Sequence, residues 1–153
     1  MESFLLSVHV VAGILFVGPV AIVTSLFPRY APVLSGPAGA VETRAERSAD
    51  IARVLHRITR VYGTLAIVVP VVGLTLAVVQ DRTTELWVVV AMLLTAVAGG
   101  LLALQIAPRQ REALDGPDDG RQLRRLSMLA GVFNLLWAFV VVLMIVRPGS
   151  ATL

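Results

Sequence analysis

The sequence predicts an all-α membrane protein, a four-helix transmembrane bundle with antiparallel neighbours. Three observations predict it. Four long apolar blocks, Ser3–Phe27, Val61–Val79, Leu86–Ala107 and Leu126–Val146, contain no Asp, Glu, Lys or Arg. A bilayer core needs about 20 apolar residues per spanning helix. The chain is 57% hydrophobic over 153 residues, with a mean hydropathy of +0.84, which leaves one membrane domain (1–153) and little material for a soluble one. The arginines gather in alternate connections, as they do when a chain crosses a membrane and returns.

The first block begins with Glu2 as its only early charge and lacks a basic leader region, so it reads as a retained helix rather than a cleaved signal peptide. Pro28, Pro32, Gly36, Pro37 and Gly39 then break the helix and the chain after it. From Val41 to Arg60 there is no Gly or Pro, which predicts a cytoplasmic helical extension over about 41–60 running unbroken into the second span. Arg53, Arg57 and Arg60 share one face of it, a solvated, orienting face placed to reach lipid phosphates. Spans three and four are joined by Asp115-Gly-Pro-Asp-Asp-Gly120 and its flanks, a turn without calcium-loop spacing.

Of 13 basic residues, all arginine, six lie in Pro28–Arg60 and five in Pro108–Arg125, leaving only Arg82 and Arg147 elsewhere. The positive-inside rule places the eleven in the cytoplasm and both termini outside. Trp87 at the outer end of span three, and Tyr30 and Tyr62 at inner ends, sit where interfacial anchors tend to be. An arginine-only basic set fits a GC-rich bacterial genome, hence a bacterial inner membrane. The net charge of +3 is accounted for by membrane orientation, and nothing points to nucleic acid. Cysteine and lysine are both absent, which excludes disulfides, zinc thiolates, iron–sulfur clusters and lysine Schiff-base chemistry.

Span two carries a seam of small or polar residues at alternating spacings of four and three: Ala52, His56, Thr59, Gly63, Ala66, Pro70, Gly73, Ala77 and Gln80. Small residues let helix backbones approach closely in a membrane, so Gly63, Ala66, Pro70, Gly73 and Ala77 are the expected packing seam, with helix 2 at the centre. The seam reads first as packing and second as a cleft for a flat ligand. Partial counterparts are His9, Gly13 and Phe16; Ala96, Gly99 and Ala103; and Ser127, Gly131, Asn134 and Ala138. Pro70 should kink its helix and free a carbonyl near Ala66, with Thr75 as one group able to satisfy it. Asn134 and Gln105 are the expected buried polar groups, acting between helices.

An ionisable group within a span is a functional-site hypothesis, and His9 is the one that qualifies. A neutral imidazole ligates haem iron or copper, or relays a proton; the bland alternative is a histidine bonded to a neighbouring helix. His56 lies at the opposite boundary. The two should be separated by most of the hydrocarbon thickness, roughly 20–30 Å, so they cannot hold one iron. No catalytic triad, carboxylate pair or phosphate-cradling loop is present. No embedded acid is there to couple protons to transport.

With Ser7-Val-His-Val-Val-Ala-Gly13, Arg57-Ile-Thr-Arg-Val-Tyr62, the opening Leu86-Trp87 and the terminal Val146-Arg-Pro148, the chain resembles the small four-span HemJ/CopD-like membrane proteins over nearly its whole length. It is most similar to actinobacterial integral membrane proteins of unknown function, through Ser25–Ala31 and Val142–Ser150. The resemblance implies a haem or porphyrin at His9, or a link to copper uptake. The family's oxidase members also use a lysine early in helix 3, where this chain has Ala91, and a second histidine there that this chain lacks. Met1, Met92, Met128 and Met144 are scattered, without a paired copper site. Three expectations follow. The first is a non-catalytic accessory or assembly subunit, in a homo-oligomer or larger complex within the lipid bilayer. The second is a haem-b or porphyrin-binding redox protein using His9. The third is a small-molecule or copper permease.

Overall fold

The computed structural model describes residues 1–35, 40–41, 48–117 and 119–149. Four helices dominate them, each long and apolar enough to cross a membrane: α1 (Glu2–Tyr30), α2 (Ala49–Val79), α3 (Leu86–Asp115) and α4 (Arg121–Val146). The all-α bundle expected from the sequence is therefore the fold. Its only extended pairing among the described residues is a two-residue antiparallel contact, β1 (Leu34–Ser35) with β2 (Ala40–Val41), in the first linker.

That pairing corrects the expected start of the second helix. Val41 is extended, 42–47 lie outside the described residues, and α2 begins at Ala49. Ser48 caps it, its hydroxyl accepting from the Ile51 N–H at 3.5 Å, which supplies one of the four donors a helix start leaves unpaired. The Ser48 N–H also donates to the Tyr30 carbonyl at 3.0 Å, so the linker returns to the point where α1 ends. The other expected break moves too. Pro28 is inside α1, which runs to Tyr30 and stops at Ala31, where the backbone turns extended, as it tends to before a proline such as Pro32.

Prolines shape the helices in two ways. Pro19 and Pro108 each follow a short π-helical stretch, Gly13–Val17 in α1 and Leu102–Ile106 in α3. A helical proline has no N–H for the carbonyl four residues back and its ring collides with that carbonyl. The wider π turn separates the rings from Leu15 and Leu104, so both helices continue, and α3 extends past Pro108 to Asp115 where a loop was expected. At Pro70 the response is the opposite. The chain tightens at Ala66–Ile67, and the Ala66 carbonyl accepts from the Val69 N–H at 3.0 Å, three residues on. Thr75 does not serve that carbonyl; its hydroxyl donates to Val71 at 2.9 Å.

The main core lies at the arginine-rich end of the bundle, labelled inner, with the end that bears the termini labelled outer; there Val20, Phe27, Ala52, Ala98, Ile106, Leu126 and Phe133 are essentially closed to solvent. α1 rather than α2 is its centre: 33% of the apolar window of α1 is buried, against 17% for α2. The lower half of α1 packs against both α2 and α4. The outer half is built differently. There α1 stays with α2 and α3 stays with α4, and the two pairs touch little. The inward stripes of α3 and α4 are Ala91, Ala98 and Leu102, and Leu123, Leu126, Ala130, Phe133 and Val140. Of the small residues expected to face in, Ala96, Gly99, Ala103 and Gly131 are exposed, because larger side chains at neighbouring helical positions take the interior, whereas Ala138 is exposed toward the space between the helix pairs and Ser127 toward a crevice beside Pro28.

The outer ends are held level by local contacts. Gln80 Nε2 donates to Glu2 Oε2 at 3.4 Å. The turn between α2 and α3 closes with Arg82 beside Glu85 at 3.7 Å, and Trp87 Nε1 donates to Glu85. α4 ends at Arg147, whose guanidinium stands 5.7 Å over the Trp87 ring. At the other end, Gly120 opens α4 with φ of +88°, a left-handed conformation that favours glycine. Desolvation pushes the adjacent Asp119 carboxyl up. Hydrogen bonds from Arg121 and the charges of Arg121 and Arg124 outweigh it and hold the group below the usual carboxylate range.

Candidate functional site

His9 stands seven residues inside the start of α1, and its ring is buried against α2. Its Nδ1 lies 3.0 Å from the Val69 carbonyl oxygen. A carbonyl only accepts, so Nδ1 carries a proton and donates, and in the neutral imidazole Nε2 keeps the lone pair. No hydrogen bond to Nε2 occurs among the described residues. The close approach depends on Gly73: a Cβ there would come 2.8 Å from His9 Cε1. Packing and one backbone bond thus set both the plane and the tautomer of the imidazole. Anchoring one ring nitrogen so that the other is presented is the arrangement that orients ligating histidines.

His9 forms part of the wall of a half-open cavity of about 980 Å³, lined by the outer halves of all four helices. It exists because the α1–α2 and α3–α4 pairs part above the main core. Pro70, Gly73 and Ala77 line one wall, and Val88, Ala91, Met92 and Thr95 the facing one. Trp137 and Val17 lie deeper, while Gln80, Arg82, Trp87 and Arg147 stand at the mouth. This is the upper end of the size range for small-molecule sites, and like them it is mostly apolar with a few polar groups. Its chemistry is that of a soft, uncharged nitrogen ligand in an apolar slot, with guanidinium groups at the outer surface.

The seam residues on α2 are buried to different degrees. Thr59 and Ala77 are buried and Gly63, Ala66, Pro70 and Gly73 half-buried. The seam does two different jobs along its length. At Gly63, where a Cβ would lie 2.9 Å from Leu102 Cδ2, it packs helix on helix. From Pro70 to Gln80 it is cavity wall.

The remaining polar groups sort by depth. Asn134 is half-buried, and its Nδ2 donates to Ser25 Oγ on α1 at 3.0 Å, while its Oδ1 is enclosed without a partner. Gln105 is exposed, which corrects its expected burial. The buried amide is Gln110, fully enclosed, with Oε1 3.1 Å from His56 Nδ1 and Nε2 unpaired. Sequence reasoning missed Gln110 because it follows Pro108, where the helix was expected to stop. His56 is therefore a packing partner of α3. It lies 13 residues below Val69 along α2, about 20 Å at 1.5 Å per residue, so the structure keeps the two histidines apart. Arg53, Arg57 and Arg60 are all exposed, Arg53 pairing with Asp50 at 2.5 Å.

Among the described residues no cluster of three or more His, Asp or Glu side chains is placed to hold a metal ion. Comparison with protein-family models, curated proteins and solved structures finds no match to this chain.

Proposed function

We propose that this multi-pass membrane protein binds a flat, amphipathic tetrapyrrole, haem b, in its outer-half cavity, with His9 Nε2 as iron ligand. The single observation that carries the reading is the His9 geometry, with Nδ1 donating to Val69, no hydrogen bond to Nε2 among the described residues, and His9 lining a 980 Å³ apolar cavity. The residues present fit the group. Its apolar face suits the Val and Ala lining, and Arg82 and Arg147 at the mouth suit its carboxylates. When bound, haem supplies one-electron redox chemistry whose potential depends on axial ligand and burial. The resemblance to the HemJ/CopD-like proteins points the same way. The missing lysine argues for a carrier or electron-transfer role rather than for the oxidase reaction. Purification in mild detergent from haem-replete cells should give a Soret band that His9→Ala abolishes. A featureless wild-type spectrum overturns the reading, as does a band that His9→Ala leaves unchanged.

A second reading, an accessory or assembly subunit, has its own support. Ala96, Gly99 and Ala103 on α3, and Gly131 on α4, are exposed, and a Cβ at Gly99 or Gly131 would meet nothing within 4 Å. Small residues directed at lipid suit close contact with another transmembrane helix. Native mass determination after gentle solubilisation should show a stable oligomer or partner; a strict monomer under several mild conditions overturns it. In both readings the arginine-rich ends face the cytoplasm of a bacterial inner membrane and both termini face out. In this cysteine-free chain, Thr83→Cys should label from outside and Arg111→Cys only after permeabilisation. The reverse pattern overturns the orientation.

A further inference from the structure

We propose that the thioether sulfur of Met92 is the second axial ligand, facing His9 across the cavity. This rests on the haem reading above. Three observations place Met92. First, the outer ends of the helices are level, tied by Gln80 to Glu2, by the short α2–α3 turn and by Arg147 over Trp87. Depth can therefore be counted along each helix at 1.5 Å per residue. His9 is seven residues inside Glu2, Gly73 six inside Val79 and Met92 six inside Leu86; the three depths come to about 9–11 Å.

Second, His9 and Met92 belong to opposite walls. His9 is fastened to α2, whereas α3 packs with α4, and the cavity is the space between those pairs. Met92 is half-buried and stands on the lining face of α3 between Val88 and Thr95. Third, the competing sulfur is at the wrong level. Met144 also lines the cavity, but it lies only two residues from the end of α4 at Val146, about 3 Å deep. No second histidine is available, since His56 lies far below at the α3 contact. A neutral thioether is a soft ligand with three rotatable bonds, able to adapt its reach. With histidine it gives the ligand pair that raises haem potential. The pair would place a high-potential, coordinatively saturated iron in the outer half of the membrane.

The test uses full-length protein loaded with haem in detergent, read by visible and paramagnetic-resonance spectra and by redox titration. The wild type should be low-spin and six-coordinate. Met92→Leu, close in volume, should become high-spin, bind carbon monoxide faster and shift to lower potential, while Met144→Leu should match the wild type. Should Met92→Leu fail to retain haem, Met92→His decides: a low-spin spectrum at lower potential supports the assignment, and no bound haem overturns it. A five-coordinate wild type, or a Met92→Leu protein with an unchanged spectrum, overturns the Met92 role while leaving His9 ligation intact. A wild type without haem overturns both.

Discussion

The inner and outer halves of this bundle are made from the same kinds of residue, yet one is closed and the other hollow. In the inner half Val20, Phe27, Ile106, Leu126 and Phe133 fill the space between all four helices. In the outer half the equivalent cluster is only Ala12, Val17 and Val69, with Phe16, Ala66 and Trp137 against it. The difference is one of side-chain size at facing positions. Where Phe27 and Phe133 point inward the helices are bridged. Where Gly73, Ala77 and Ala91 point inward they are not, and the α1–α2 and α3–α4 pairs separate. In lipid no hydrophobic drive forces such a gap to close, because packing alone holds helices together. A membrane bundle can keep an apolar cavity above a tight base, and the base supplies the rigidity that holds a buried side chain such as His9 in place.

The largest expected effect tests that division directly. Phe133→Ala should destabilise the bundle by about 3 kcal/mol by opening a void in the closed half. Phe16→Ala, beside the cavity, should lose about 1 kcal/mol, since less packing is removed. Denaturation in mixed micelles measures both, and equal losses would mean the halves do not differ in packing. The next comparison uses two glycines of one seam. Gly73→Ala forces a methyl group against the His9 ring, which is held by the Val69 carbonyl. It should cost about 2 kcal/mol and displace the imidazole, with loss of any Soret band. Gly63→Ala meets only the end of the flexible Leu102 side chain and should cost under about 1 kcal/mol, leaving the spectrum intact. If the two variants behave alike, the seam is packing throughout and the cavity wall has no special role.

Smaller effects separate polar contacts of the base. Gln110→Leu leaves His56 without its partner and should destabilise by about 1 kcal/mol. Asn134→Leu removes one interhelical bond, which in membranes averages about 0.6 kcal/mol. A reversed order in the same titration would show that Asn134, not the His56–Gln110 pair, ties the helices. The smallest effect is at the Asp119 turn. A carboxyl depressed in the folded state contributes stability above its unfolded pKa and loses it as pH falls through the folded value. Asp119→Asn should therefore be slightly less stable than the wild type at neutral pH, and the difference should vanish as pH falls below about 4. Equal stability near pH 7, or a difference that persists in acid, would contradict the assignment.

Individual residues show where sequence reasoning reached and where it stopped. His9 was legible because an ionisable group in an apolar helix needs a reason. Its partner was not, because Val69 is an unremarkable valine whose backbone carbonyl does the work. Gln105 and Gln110 exchanged roles because Pro108 does not end its helix: the π turn before it lets α3 run on and turns Gln110 inward. The α2 seam was visible from its spacing, whereas the small residues of α3 and α4 follow similar spacings and are exposed. Periodicity marks a face without saying what the face meets.

By itself, then, the sequence determined the all-α class, the four spans and the distance between the two histidines. These depend on the length and composition of each segment against a bilayer of known thickness. The tertiary structure alone decided which helix is central, which amide is buried, which nitrogen of His9 is free and where the bundle is hollow. Those follow from how bulky and small side chains from different helices happen to face one another, a pairing that no single segment contains.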